Sequence, residues 1–249
     1  MAGFPWHPHR GIETITYVLA GDVDHADSLG NKETIGAGDV QWMTAGSGII
    51  HQEMPHGNDR GQMHGFQLWA NLPSSLKMID PRYQEIHSAD IPEVTDDDGT
   101  NVRVICGNFW GQSGPVDGLA AEPHYLDVWN PPGLKRSLPV ETSRNAFAYV
   151  FAGSGRFANA SDPRPIQTER VGDAGGGQSD DADNRSLIVF DSGDEITVQA
   201  GDQGIRFLMV SGKPIQEPVA WAGPIVMNTK DELRQAFDEF RAGTFLKHP

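Results

Sequence analysis

His7-Pro8-His9 and His51-Gln52-Glu53 are two i, i+2 pairs of side chains able to bind a metal. On a β-strand, side chains alternate faces and rise about 3.3 Å per residue. His7 and His9 therefore point to one side of their strand, and His51 and Glu53 to one side of theirs. If the two strands face each other inside a small barrel, three imidazoles and one carboxylate converge. Such a set suits a divalent first-row metal: imidazole fits Fe, Cu, Ni or Zn, and a carboxylate hardens the site toward Fe or Mn. The competing reading is ordinary surface histidines, since the chain carries nine His and chance pairs occur. The second pair weighs toward a metal. So does Gly36-Ala37-Gly38-Asp39 followed by Ala45-Gly46-Ser47-Gly48, glycine-rich turns that bring one strand back beside another.

The elements around these pairs read as short strands punctuated by glycine turns, the pattern of a sandwich or barrel. Glu13–Ala20 is dominated by β-branched and aromatic residues. Asp39–Thr44, Ile49–Met54, Gly65–Asn71 and Val102–Gly107 follow, and Asp24–Asn31 reads as a loop. A second set, Tyr125–Trp129, Ser137–Val140 and Ala146–Ala152, echoes the first: YVFAGSGRF parallels YVLAGDVDH. Two copies of one fold explain this weak repeat, with domains at 1–118 and 119–249. Val171–Arg185 is almost devoid of apolar side chains and reads as an exposed loop. The single helix is C-terminal, over 229–242. Thr229 and Glu232 form a capping box, Leu233, Ala236, Phe237 and Phe240 make one apolar stripe, and Gly243 follows as a C-terminal cap.

The 249 residues carry 34 acidic against 19 basic side chains, a net charge of −15. That excludes a broadly basic nucleic-acid-binding face. No apolar run is long enough for a membrane helix, no signal-peptide pattern opens the chain, and the lone Cys106 excludes an internal disulfide framework. These features lead to the expectation of a cytoplasmic protein.

FPWHPHRGIETITYVLAG, GDVQWMTAGSGIIHQEMP, GFQLWANLPSSLKMIDPRYQEI and GPIVMNTKDELRQAFDEF together resemble the pirin family of bicupins over nearly the whole chain. The resemblance implies an all-β fold of two cupin-type (jelly-roll) β-barrels in tandem with a short C-terminal helix. It puts the metal ligands on His7, His9, His51 and Glu53, with Glu53 taking the carboxylate role that Glu13 would hold in many other cupins. The second half has no comparable set, so one metal is expected, in the first half. Fe(II) is the expected ion, with Mn, Ni, Zn or Cu as substitutes in a purified sample. Family members carry a few dozen residues before the His-Pro-His motif; here His7 stands near the start, which bears on how the first barrel closes.

Two functions fit that resemblance. The first is a quercetin 2,3-dioxygenase-like oxygenase, acting on a flavonol-like substrate and O2, with Glu53 also serving as proton acceptor. Arg10 and Gln67 are candidates to orient the substrate, and Trp42 and Met43 to wall it. Barrel packing and salt bridging are the plain alternative for those four. The second function is an iron-dependent redox sensor that binds a regulatory protein partner.

Overall fold

The computed structural model describes residues 3–116, 120–165 and 181–247. The expected domain boundary at 118 and residues 171–180 of the expected exposed loop lie outside the described residues. The chain divides into two compact units, Met1–Asp90 with Ile215–Pro249, and Ile91–Pro214. The C-terminal helix, expected with the second domain, therefore belongs to the first unit.

The first unit begins with β1 (Phe4–His9), β2 (Ile12–Ala20), β3 (Asp22–Asp27), β4 (Lys32–Ile35), β5 (Val40–Thr44), β6 (Ile49–His56), β7 (His64–Asn71) and β8 (Arg82–Ile86). They form two antiparallel four-stranded sheets, in the orders β1-β6-β3-β4 and β7-β2-β5-β8. Part of the expected loop at Asp24–Asn31 is strand β3. Its burial alternates residue by residue, with Val23, His25 and Asp27 inside, the pattern of a strand with one buried face. The charged and small residues on its outer face hid that alternation.

The second unit contains β9 (Glu93–Thr95), β10 (Asn101–Cys106), β11 (Asn108–Phe109), β12 (Gln112–Ser113), β13 (His124–Asn130), β14 (Lys135–Pro139), β15 (Asn145–Phe157), β16 (Arg164–Pro165), β17 (Ala182–Asp183), β18 (Ser186–Val189) and β19 (Glu195–Gly212). Nine of these strands join one antiparallel sheet. Its buried face is apolar: Val102, Val104, Leu126, Val128, Val150, Ile188, Val198 and Phe207 pack into one core.

The chain then returns to the first unit through β20 (Ala220–Ala222), β21 (Ile225–Met227) and α1 (Lys230–Arg241). The capping box is present: the Thr229 hydroxyl accepts from the Glu232 amide, and the Glu232 carboxylate accepts from the Thr229 amide. Among the described residues no helix is long and apolar enough to cross a membrane.

What fastens this return segment is Arg10. The residue is 2% exposed. Its Nε donates to Ser47 O at 2.7 Å, Nη1 to Glu239 at 2.8 Å and Nη2 to Phe245 O at 2.8 Å, with the Phe245 ring centroid 4.2 Å away. Hydrogen bonds from Lys247, Gln235 and Arg10 outweigh the upward push of burial and hold Glu239 down to about 2. Next to it, Gly11 has φ +77°, and a Cβ there would lie 2.0 Å from Val226 O. Only glycine allows this close passage beside β21.

Arg10→Ala should destabilise the first unit by roughly 3 kcal/mol, because two carbonyls lose their buried donor and the half-buried Glu239 carboxylate loses one of its three partners. Chemical denaturation of the purified variant checks this, and an unchanged midpoint would refute the anchoring role.

Candidate metal centre

The site occupies the inward face of the β1-β6-β3-β4 sheet. His7 lies opposite His51 across β1 and β6, while Asp27 and His25 lie opposite His51 and Glu53 across β3 and β6. Residues directly opposite on neighbouring strands share a face. The two sequence pairs are thus side by side in one sheet rather than on strands facing each other. Nitrogens of His7, His9 and His51 lie within 4.8 Å of one another, and so do donor atoms of His25, His51 and Glu53. His9, His25, His51 and Glu53 are buried, and His7 is half-buried.

Hydrogen bonds fix the histidine tautomers. His7 Nδ1 meets Pro5 O at 2.8 Å and His9 Nδ1 meets Pro224 O at 3.1 Å. A carbonyl only accepts, so both Nδ1 atoms carry the proton, and in the neutral rings Nε2 is left as a bare lone pair. Yet those two Nε2 atoms are 3.1 Å apart. Two facing lone pairs repel unless a cation lies between them. A proton is a poor answer, because burial and then the neighbouring His7 push His9 down to about 4. His51 is pushed to about 2, by burial first and the surrounding histidines next, and neither of its ring nitrogens has a hydrogen-bond partner. Neutral, converging imidazoles with unused nitrogens are what a divalent metal requires. The residues present therefore fit the expected ion, and carbonyl-oriented imidazoles are the usual second layer of such a site.

The opposite sheet braces the carboxylate. Thr16 Oγ1 donates to Glu53 Oε1 at 2.9 Å and Gln67 Nε2 donates to Oε2 at 2.6 Å. Gln67 thus contacts the candidate ligand Glu53. Trp69, two residues on and on the same face as Gln67, sets its ring edge-on to His9 with centroids 5.2 Å apart. Gln67, Trp69 and half-buried His7 reach solvent, so the set is open on that side.

The other expected residues fall elsewhere. The donors of Arg10 are engaged with the C-terminal segment, as described above. Trp42 and Met43 are neighbours on β5 and point to opposite faces, so they cannot both wall one cavity. Met43 packs with Ile12, Ala45, Ile49 and Val226, while Trp42 lies opposite Ile15 and Gln84. Glu13, adjacent to Thr14 and therefore on the other face from Thr16, accepts a hydrogen bond from Thr44 at 2.7 Å, and burial raises its pKa.

His25 was missed in the sequence. Its Nε2 contacts Asp27 Oδ2 at 3.2 Å and its Nδ1 meets the Gln41 amide nitrogen at 3.0 Å. Asp27 accepts from Leu29 N and from the backbone and side chain of Asn31. Those bonds, with His25, outweigh burial and keep its carboxyl below the usual range. Nε2–H therefore donates to an ionised Asp27, and the Nδ1 lone pair is taken by Gln41. With both nitrogens committed, His25 is beside the ligand set without a free donor for it. The His25-x-Asp27 spacing is the signal that could have revealed it.

A fold of two tandem β-barrels, with a His/Glu cluster in the first, defines a bicupin. A family model described as Pirin matches residues 1–70, and one described as Pirin C-terminal cupin domain matches 125–246. The chain belongs to the pirin family. It is 43% identical over 246 residues to a pirin-like protein of Caulobacter vibrioides, covering 98% of this chain and 81% of that protein. A solved quercetin 2,3-dioxygenase of Acinetobacter baumannii superposes with a TM-score of 0.82 at 33% identity, over 98% of this chain and 79% of that one. A bacterial pirin from Escherichia coli, solved in complex with nickel(II), shares the fold with a TM-score of 0.61 at 23% identity, over 85% of this chain and 77% of that one.

Two predictions follow from the protonation and bonding pattern. His9 and His51 have folded values far below the 6.5 of an unfolded histidine. As pH falls below that value, the unfolded chain binds protons that the fold refuses. Stability of the metal-free protein should therefore be full above pH 6.5 and decline toward pH 4, and His9→Gln and His51→Gln should flatten the slope. Melting temperatures in chelator at several pH values test this; a rise on acidification would contradict it. In the second, His51→Ala should lose most bound metal while His25→Gln keeps it, as read by elemental mass spectrometry. Equal loss in both variants would make His25 a ligand.

Proposed function

We propose that the protein is a metal-dependent cupin oxygenase of the quercetin 2,3-dioxygenase type. The observation that carries the reading is the pair of bare His7 and His9 Nε2 atoms converging beside His51 on a side of the barrel open to solvent. His7, His9, His51 and Glu53 would hold the ion, with Fe(II) the best match to three imidazoles and one carboxylate. When bound, that ion supplies the redox chemistry with dioxygen and a Lewis-acidic contact for the substrate.

The chain's own residues do the rest. A flat aromatic substrate would approach over His7, Gln67 and Trp69, which reach solvent, and the Trp69 ring would offer it an apolar surface. Glu53 accepts the proton of the flavonol 3-hydroxyl, while Thr16 and Gln67 hold its two oxygens in place. Buried Met43 and Ile49 keep water from the closed side. The overall change adds both oxygen atoms of O2 to the flavonol, opens its central ring and releases one carbon as carbon monoxide. The similarity to the Acinetobacter enzyme supports the substrate class.

Oxygen uptake with quercetin tests the proposal, using protein stripped and reloaded anaerobically with Fe(II) and His51→Ala as control. Metal-dependent uptake with matching ring-cleaved product is expected. Uptake no greater than in the control, with iron bound to the parent protein, would overturn it and favour an iron-dependent redox sensor with a protein partner.

A further inference from the structure

The return segment of the first unit forms a surface groove whose lining includes none of the candidate metal ligands. One wall is β20 with the residue before it: Val219, Ala220, Trp221 and Ala222. The other wall is one face of α1: Lys230, Leu233, Arg234, Phe237 and Arg241. The groove faces solvent rather than being enclosed, which suits a chain segment better than a small molecule. Its apolar surface is presented to solvent, with Trp221 67% and Val219 59% exposed.

Two further observations say what fits there. The first is charge. Every charged side chain lining the groove is basic, in a chain with 34 acidic and 19 basic residues. The helix carries its acidic side chains off the groove. Asp231 pairs with Arg234 at 3.1 Å and Asp238 with Arg241 at 3.2 Å. These pairs lie in solvent, where such contacts are weak and exchangeable for an incoming carboxylate. A second copy of this face would bring basic side chains against basic ones, so self-association through it is disfavoured. The second observation is the strand edge. β20 pairs with β21 along one side, and among the described residues no strand pairs with its other side. An unpaired edge is a template for an added strand.

We infer that this groove docks an extended acidic segment of a partner protein. The segment would add to the free edge of β20, seat an apolar side chain against Trp221, Leu233 and Phe237, and place carboxylates against Lys230, Arg234 and Arg241. The inference is independent of the metal and of the oxygenase reading.

Fluorescence anisotropy with a labelled peptide of alternating Glu and Leu tests it on the full chain. Saturable binding is expected. Trp221→Ala and Arg234→Glu should each weaken it at least tenfold, and Arg234→Lys should largely restore it. Because these side chains are exposed, melting temperature and metal content should not move. Replacing Glu by Lys, or Leu by Ser, in the peptide should abolish binding, and added salt should weaken it. No binding, equal binding of the Lys peptide, or affinity unchanged in both variants would overturn the inference. So would binding of a single-stranded oligonucleotide in place of the peptide, or dimerisation through the groove in sedimentation.

Discussion

Two imidazole lone pairs 3.1 Å apart inside a barrel form an arrangement that needs a cation. The first unit is built to impose it. His7, His9, His25, Asp27, His51 and Glu53 crowd one sheet face, where an ordinary barrel would place aliphatic side chains. Burial keeps His9 and His51 neutral, and the carbonyls of Pro5 and Pro224 keep the protons of His7 and His9 on Nδ1. Thr16, Gln41 and Gln67 reach across from the opposite sheet to satisfy the carboxylate and the remaining imidazole. Polar groups so deeply placed are tolerable only when nearly all are partnered. His51 has two unpartnered nitrogens, and it is shared by both converging donor groups.

The C-terminal segment has a part in this. It supplies Pro224 O to His9, and Val226 N donates to Arg10 O at 3.1 Å. Lys77 ties the same region together, its Nζ donating to Gly11 O, Asn71 and Val226 O. Burial lowers that ammonium to about 8. A strand bearing two candidate ligands is thus oriented by residues more than two hundred positions later, which makes the unit discontinuous in sequence. The core of the second unit is apolar, with Val102, Val104, Leu126, Val128 and Phe207 packed together.

The i, i+2 spacing of His7, His9, His51 and Glu53 was legible because a strand's period of two is itself the geometric rule that aligns them. The capping box at Thr229 and Glu232 was legible because it is local. The same rule of alternation puts Trp42 and Met43 on opposite faces of β5, so only Met43 shares the face of Thr16 and Gln67. His25 escaped because a strand with Asp and Ala between its inward residues resembles a loop. Arg10 looked like a substrate ligand from its place beside His9, and its bonds to Glu239 and Phe245 depend on a chain return that no local pattern announces.

The most direct test is a crystal structure of the Fe(II)-loaded protein with anomalous scattering measured across the iron edge. The account predicts one ion, held by His7 Nε2, His9 Nε2, one nitrogen of His51 and a Glu53 oxygen, with His25 still bonded to Asp27 and Gln41. An ion bound by His25 in place of His7 or His9, or no ordered ion on this face, would contradict it.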